Sequence, residues 1–208
     1  MIGKATTLRR KLTIAALIVS CLWIAFGQLA RGQSSSAPKY TASGELILPR
    51  GFETWVFVGS NLGLAYREEL PTMTALEATR ADQPQFHNIY LDTAAYDHFR
   101  TTGEFPDRTV IVMDVFAAAD KEPQNVVAKG VFNGARIGME VAVKNSARPD
   151  GKKTVWAYYD FTDRSDPSKL KATAPAFPDE SCETCHRQHA GRDHVWVQFY
   201  PTLRELIK

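Results

Sequence analysis

Thr109-Val110-Ile111-Val112-Met113-Asp114-Val115-Phe116 is the stretch that decides the fold. β-branched residues dominate it, and side chains stiff at χ1 pack well on a pleated surface, so it reads as a strand. Upstream, Phe86-His87-Asn88-Ile89-Tyr90-Leu91 alternates large apolar with polar groups and reads as a second strand. Between the two, Asp92 or Thr93 is placed to cap a short helix through Tyr96 and Phe99, with Gly103 as its terminating residue. Phe105-Pro106-Asp107 then makes a turn. Downstream, residues 125–132, 137–144 and 154–161 read as further strands, the last two joined by a hairpin that turns at Arg148-Pro149-Asp150-Gly151. Residues 52–58, bounded by Gly51 and Gly59, form a short helix or a strand; periodicity does not decide which. Residues 70–84 and the polar, proline-containing 163–178 read as loops, and residues 195–201 fit alternation and helical spacing in part. Together these point to an α+β domain, mainly antiparallel β-sheet with a few short helices.

The chain has 208 residues, 44% of them hydrophobic and 23% charged, with a formal net charge of +2. That is a globular composition, and so small a charge is no electrostatic footprint for nucleic acid. Lys4, Arg9, Arg10 and Lys11 precede an apolar run over residues 12–26, broken only by Thr13 and Ser20, and small residues follow near Ala30 and Gly32. Residues 1–32 therefore read as a signal peptide, with an uncleaved N-terminal anchor as the alternative. Ile18-Val19-Ser20-Cys21 also has the look of a lipoprotein processing box, although the apolar run continues past Cys21. Residues 33–44 are small and polar, a flexible linker, and residues 45–208 remain for one domain.

Near the C-terminus stands Cys182-Glu183-Thr184-Cys185-His186, a C-x-x-C-H pattern of the form that carries a c-type haem. Two thiols three residues apart on a helical turn share a face and can add to the two vinyl groups of one haem. His186 follows one turn after Cys182 and can offer its imidazole to the iron from the proximal side. The rival readings are a redox C-x-x-C, half a zinc site and a disulfide. A zinc site needs a second ligand pair of suitable spacing, and the sequence has no second cysteine pair. With Cys21 in the leader, the mature chain keeps only the motif's two thiols. Export and haem attachment belong to the same compartment, so the expected location is the periplasm. Most small c-type cytochromes are helical with the motif near the N-terminus; here it closes a run of strands.

Taken in order, Phe86 to Asp92, Thr102-Gly103-Glu104-Phe105-Pro106-Asp107, Thr109-Val110-Ile111-Val112, Val141-Ala142-Val143-Lys144, Trp156 to Phe161, and Cys182 to His186 followed by Asp193 and Val195 to Leu203 resemble the cytochrome P-460 family. That family includes the cytochromes c-prime-beta. The resemblance implies a mostly antiparallel β fold, a homodimer, and one covalent haem c per chain ligated by the motif histidine. It also implies an open distal site for small nitrogen-containing molecules or gases. P-460 enzymes oxidise hydroxylamine and cross-link a lysine to the haem ring, passing electrons to a soluble electron-transfer cytochrome. The c-prime-beta proteins lack the cross-link and bind nitric oxide or carbon monoxide beneath an aromatic cap. At the position of the cross-linking lysine this chain has Met113; Lys121 and Lys129 are the nearest lysines, and neither matches it.

The site residues expected on this basis are Cys182, Cys185 and His186, with Met113, Phe105 and Phe116 lining the haem. Met113 is core filler, an apolar distal wall, or a thioether ligand opposite His186. Glu140 is the candidate proton-transfer carboxylate. His189 and His194 are surface residues or partners of the ligand, and His87 and His98 lie at the core edge or surface. Arg136 and Lys144 face solvent or pair with haem propionates. The expected function is binding of nitric oxide or a related nitrogen species; the alternatives are oxidation of hydroxylamine or nitric oxide, and plain electron transfer.

Overall fold

In the computed structural model, which describes residues 37–64, 84–119 and 130–207, the deciding stretch becomes β4 (Val110–Ala119), the central strand of a five-stranded antiparallel meander. Its neighbours in order are β2 (Val56–Leu62) and β3 (Gln85–Leu91) on one side, β5 (Phe132–Lys144) and β6 (Trp156–Asp160) on the other. Two further strands, β1 (Leu46–Ile47) and β7 (Thr173–Ala174), pair as a small second sheet. The helices are α1 (Thr93–Thr102), α2 (Glu183–His189) and α3 (Pro201–Arg204), with 3₁₀ turns at Phe52–Thr54 and Val197–Phe199. The fold is α+β and mainly antiparallel β, as the sequence leads one to expect. The leader, the residues 70–83 and the lysines at 121 and 129 lie outside the described residues.

β4 reads as a continuous apolar run because both faces of the sheet are covered. Val110 and Val112 enter a core with Leu46, Phe52, Val141 and Tyr159. Ile111 and Met113 turn to the other, with Ile89, Phe99, Phe105, Trp156 and Tyr158. The first core lies under β1 and β7; the second lies under α1 and the C-terminal segment. Tyr40, ahead of β1, also packs on the first core and bridges to Leu46.

Local chemistry sets the elements that flank the sheet. Asp92 caps α1 by accepting from the Ala95 amide at 2.9 Å, and its other oxygen accepts from the Val110 amide at 3.0 Å. One buried carboxylate thus starts the helix and pins it to β4. Gly103 ends the helix at φ 73°, a left-handed conformation that glycine adopts without a Cβ penalty. Ala95 and Phe99, four residues apart, are its buried face, and Phe99 stacks on Phe105 at 4.4 Å.

One open reading resolves and two expectations need correction. The ambiguous residues 52–58 divide into a 3₁₀ turn and the start of β2. Residues 125–129 of the strand expected over 125–132 lie outside the described residues, and Phe132 opens the thirteen-residue β5, which therefore starts ahead of the expected 137. The Asn133-Gly134 pair looks like a break, but a Cβ at Gly134 would stand 3.1 Å from the Ala117 carbonyl, so glycine here permits close approach of β4. The register shifts around Phe116 absorb the irregularity. The polar 163–178 segment contains β7, too short to show a period, and runs along β6 through the Phe177 amide to the Tyr158 carbonyl at 2.8 Å. That path carries the chain to the cysteine motif.

The tail returns over β2. A Cβ at Gly59 would meet Pro201 Cδ at 3.1 Å and Tyr200 Cα at 3.3 Å. Gly59→Val should therefore lift the tail and destabilise the fold by about 1–3 kcal/mol, read as a lower thermal midpoint; an unchanged midpoint would mean that the tail is not seated there.

Candidate functional site

Arg148 fixes the approach to the cysteine motif. Its guanidinium is almost wholly buried, donates to Asp150 at 3.0 Å and to the Trp156 carbonyl at 2.9 Å, and reaches Asp179 at 3.4 Å. Thr154 donates to the same Asp179 carboxylate at 2.9 Å, and the Asp179 carbonyl accepts from the Thr184 amide at 3.0 Å. The loop between β5 and β6 thereby holds the start of α2. Cys182 is the N-cap of that helix, and Cys185 and His186 lie in its first turns. Both cysteine side chains are half-buried. No disulfide joins them.

His186 packs between two aromatic side chains, Tyr158 at 4.5 Å and Trp196 at 5.2 Å between ring centres. Its Nδ1 meets the His194 carbonyl at 2.8 Å, and the Trp196 indole N–H donates to its Nε2 at 3.1 Å. A carbonyl can only accept and an indole N–H can only donate, so the proton is on Nδ1 and the lone pair on Nε2. That is the tautomer a metal at Nε2 requires. Burial pushes the imidazole pKa down from 6.5 to about 4, with the His194 carbonyl working in the opposite direction. The ring is neutral and aimed.

The carbonyl that orients His186 belongs to an unusual turn. Asp193 and His194 have φ of 44° and 61°, positive values that cost non-glycine residues about 1–3 kcal/mol each. Arg192 and Val195 close the turn with amide–carbonyl bonds of 3.3 and 2.8 Å, the pattern of a tight hairpin with both central residues left-handed. Lys144 Nζ donates to Asp193 at 2.7 Å and the Trp156 indole N–H donates at 3.2 Å. On the other side, His194 Nδ1 meets the carboxylate of Glu183, a buried residue inside the motif, at 3.0 Å.

The expected site residues divide by sheet face. Met113 is half-buried and packs against the core that includes Tyr158 and abuts Cys182 and Trp196. In register, Ile89, Met113, Glu140 and Asp160 form one row across four strands, so Glu140 shares the face of Met113. Phe105 is in the same core, enclosed by Phe99 and Trp156, with the latter's ring centre at 6.0 Å. Phe116 is not brought to this face. It pairs with Phe86 in unbroken alternation from Val112, which sends it to the opposite side, beneath the Arg136 guanidinium at 5.4 Å. Arg136 itself is bidentate to Asp114 at 2.6 and 2.9 Å, and Lys144 is held by Asp193. Neither basic group faces solvent unpaired. His98 and His189 are exposed, His87 lies on the Met113 face of β3 one row beyond it, and His194 is the partner of His186.

Sequence reasoning did not single out Glu183, Tyr158 or Trp196. A glutamate between two cysteines gives no sign of being buried, and aromatic residues on a strand or tail read as core.

Cys182, Cys185 and a neutral His186 with its lone pair on Nε2 thus stand together on one short helix. Among the described residues, no three His, Cys, Asp or Glu side chains are grouped to hold a metal ion by themselves. A family model described as Cytochrome P460 matches residues 49–197, which takes in β2 through β7, the cysteine motif and Trp196. No curated protein matches the chain.

The pKa of His186 yields a prediction for the haem-free chain. The unfolded imidazole protonates near pH 6.5 and the folded one only near pH 4, so stability falls as pH drops through that window. The loss totals about 3 kcal/mol. Urea unfolding should show a steeper decline between these limits for the wild type than for His186→Asn; equal slopes would refute the burial argument.

Proposed function

The chain belongs to the cytochrome P460 family, and on that premise we propose that it is an exported monohaem c-type cytochrome that binds nitric oxide or a related small nitrogen species. Family membership makes it a haem cytochrome. Under the proposal, Cys182 and Cys185 carry the haem c, His186 is its proximal ligand, and the opposite side of the iron is left open. The haem supplies, when bound, an iron that takes a diatomic ligand and exchanges one electron. The chain's own part is to hold His186 neutral and pointed, to keep water from it with Tyr158 and Trp196, and to set an apolar side chain where an amine would react with the ring.

The observation that carries the gas-binding reading is Met113, half-buried against the core that abuts Cys182 and Trp196. A thioether in the place of the family's cross-linking lysine offers no amine, and its softness suits an apolar wall. A second reading, oxidation of hydroxylamine or nitric oxide with electrons passed to a soluble cytochrome, has one observation in its favour. Glu140 is the register partner of Met113, placed to accept protons on the same face. The leader at residues 1–32 supports a periplasmic location. A homodimer fits the edge strand β2, which leaves Phe57 and Leu62 about half exposed.

Absorption spectra of the haem-loaded protein, ferric and ferrous, with and without nitric oxide, test the proposal. The expected result is a high-spin c-type spectrum that changes on adding nitric oxide and is unaltered by Met113→Leu. A ferrous Soret band far to the red would mean a ring cross-link and the enzymatic reading. A low-spin spectrum that Met113→Leu converts to high-spin would make Met113 the sixth ligand and the protein an electron carrier.

A further inference from the structure

We propose that Asp193 is a positioning residue that sets the electron-donating strength of His186. The inference rests on His186 as the haem ligand and adds a residue that acts on it through the backbone.

Asp193 and His194 hold positive φ without being glycine, so the turn keeps its shape only if something outside it holds it. The outside hold is the Asp193 carboxylate. One oxygen accepts from Lys144 at 2.7 Å and the other from the Trp156 indole at 3.2 Å. Lys144 and Trp156 are directly opposed across β5 and β6, so the carboxylate closes over the end of that strand pair. The turn is thus referenced to the paired strands β5 and β6. Its second residue, His194, presents its carbonyl to His186 Nδ1 at 2.8 Å. Glu183 holds the His194 ring at 3.0 Å, which stops the turn rotating as a unit.

The hydrogen bond from Nδ1–H gives the imidazole partial anionic character and makes Nε2 a stronger donor. A short, fixed bond favours ferric over ferrous iron. Freeing the turn lengthens the bond and weakens the donor, so the reduction potential should rise and the ferrous iron–histidine stretching frequency should fall. Asp193 performs this without touching the ligand. The charge of Lys144 belongs to the same device, since a neutral side chain at that position would leave Asp193 held only by the indole.

The test uses haem-loaded full-length protein and three variants: Asp193→Ala, Asp193→Asn and Lys144→Met. Asparagine tolerates the left-handed conformation, so Asp193→Asn keeps the turn folded while losing the charge and one of the two acceptor oxygens, and it decides the matter where Asp193→Ala fails to fold. Spectroelectrochemical potentials and resonance Raman spectra should show an upward shift in potential and a downward shift in stretching frequency. The shift should be largest in Asp193→Ala, with Asp193→Asn and Lys144→Met smaller and similar to each other. A purely structural role would lower melting temperatures and leave both readouts at wild-type values, and that result would overturn the inference. A wild type whose stretching band shows a ligand other than His186, or that carries no haem, would overturn the haem-ligation reading and this inference with it.

Discussion

One hydrogen bond, from His186 Nδ1–H to the His194 carbonyl at 2.8 Å, organises the chemistry of this molecule. It selects the tautomer, fixes the plane of the ring and leaves the lone pair on Nε2, where it accepts from the Trp196 indole N–H. An imidazole on a short surface helix is free to turn about two side-chain bonds. Here it is bracketed by Tyr158, Trp196 and a carbonyl that the chain strains itself to present. Loss of the turn would leave His186 without the carbonyl that orients it.

The sheet is the frame that makes this possible. With both faces covered, a strand delivers alternate residues to two cores, and the assignment of each residue follows from its parity. Parity is why Met113, with Glu140 opposite it in register, lies on the side of the motif while Phe116 lies on the other; the register shift at Phe116 carries Arg136 to the face of Phe116 although it stands four residues from Glu140. The path from β6 through Phe177 and Asp179 to Cys182 then carries α2 against the same face, where Arg148 locks it.

How far this was legible in the sequence depends on the range of the interaction that decides each feature. Local chemistry was legible: Asp92 as cap, Gly103 as terminator, Arg148 to Gly151 as a turn, and β-branched residues over 109–116 as a strand. The cysteine motif announced its donor set because a spacing of three residues is itself the signal. What escaped was set by contacts between distant segments. β7 exists only because β1 lies beside it, and β5 runs on through Gly134 only because β4 needs close approach there. Phe116 lies close to Met113 along the chain but not on its face, because an offset of three residues in a strand reverses the side. Glu183 was hidden for a related reason: its burial depends on a histidine eleven residues later, reached only after a turn that few side chains favour.

The claim on which the account rests is that Cys182 and Cys185 hold a haem covalently with His186 beside them. Intact-mass spectrometry of the mature protein, followed by peptide mapping with a thiol-alkylating reagent, tests it most directly. The account predicts the mass of one added haem, located on the peptide containing the two cysteines, with neither thiol alkylated. An unmodified peptide alkylated at both cysteines, from cells competent to attach haem, would contradict it.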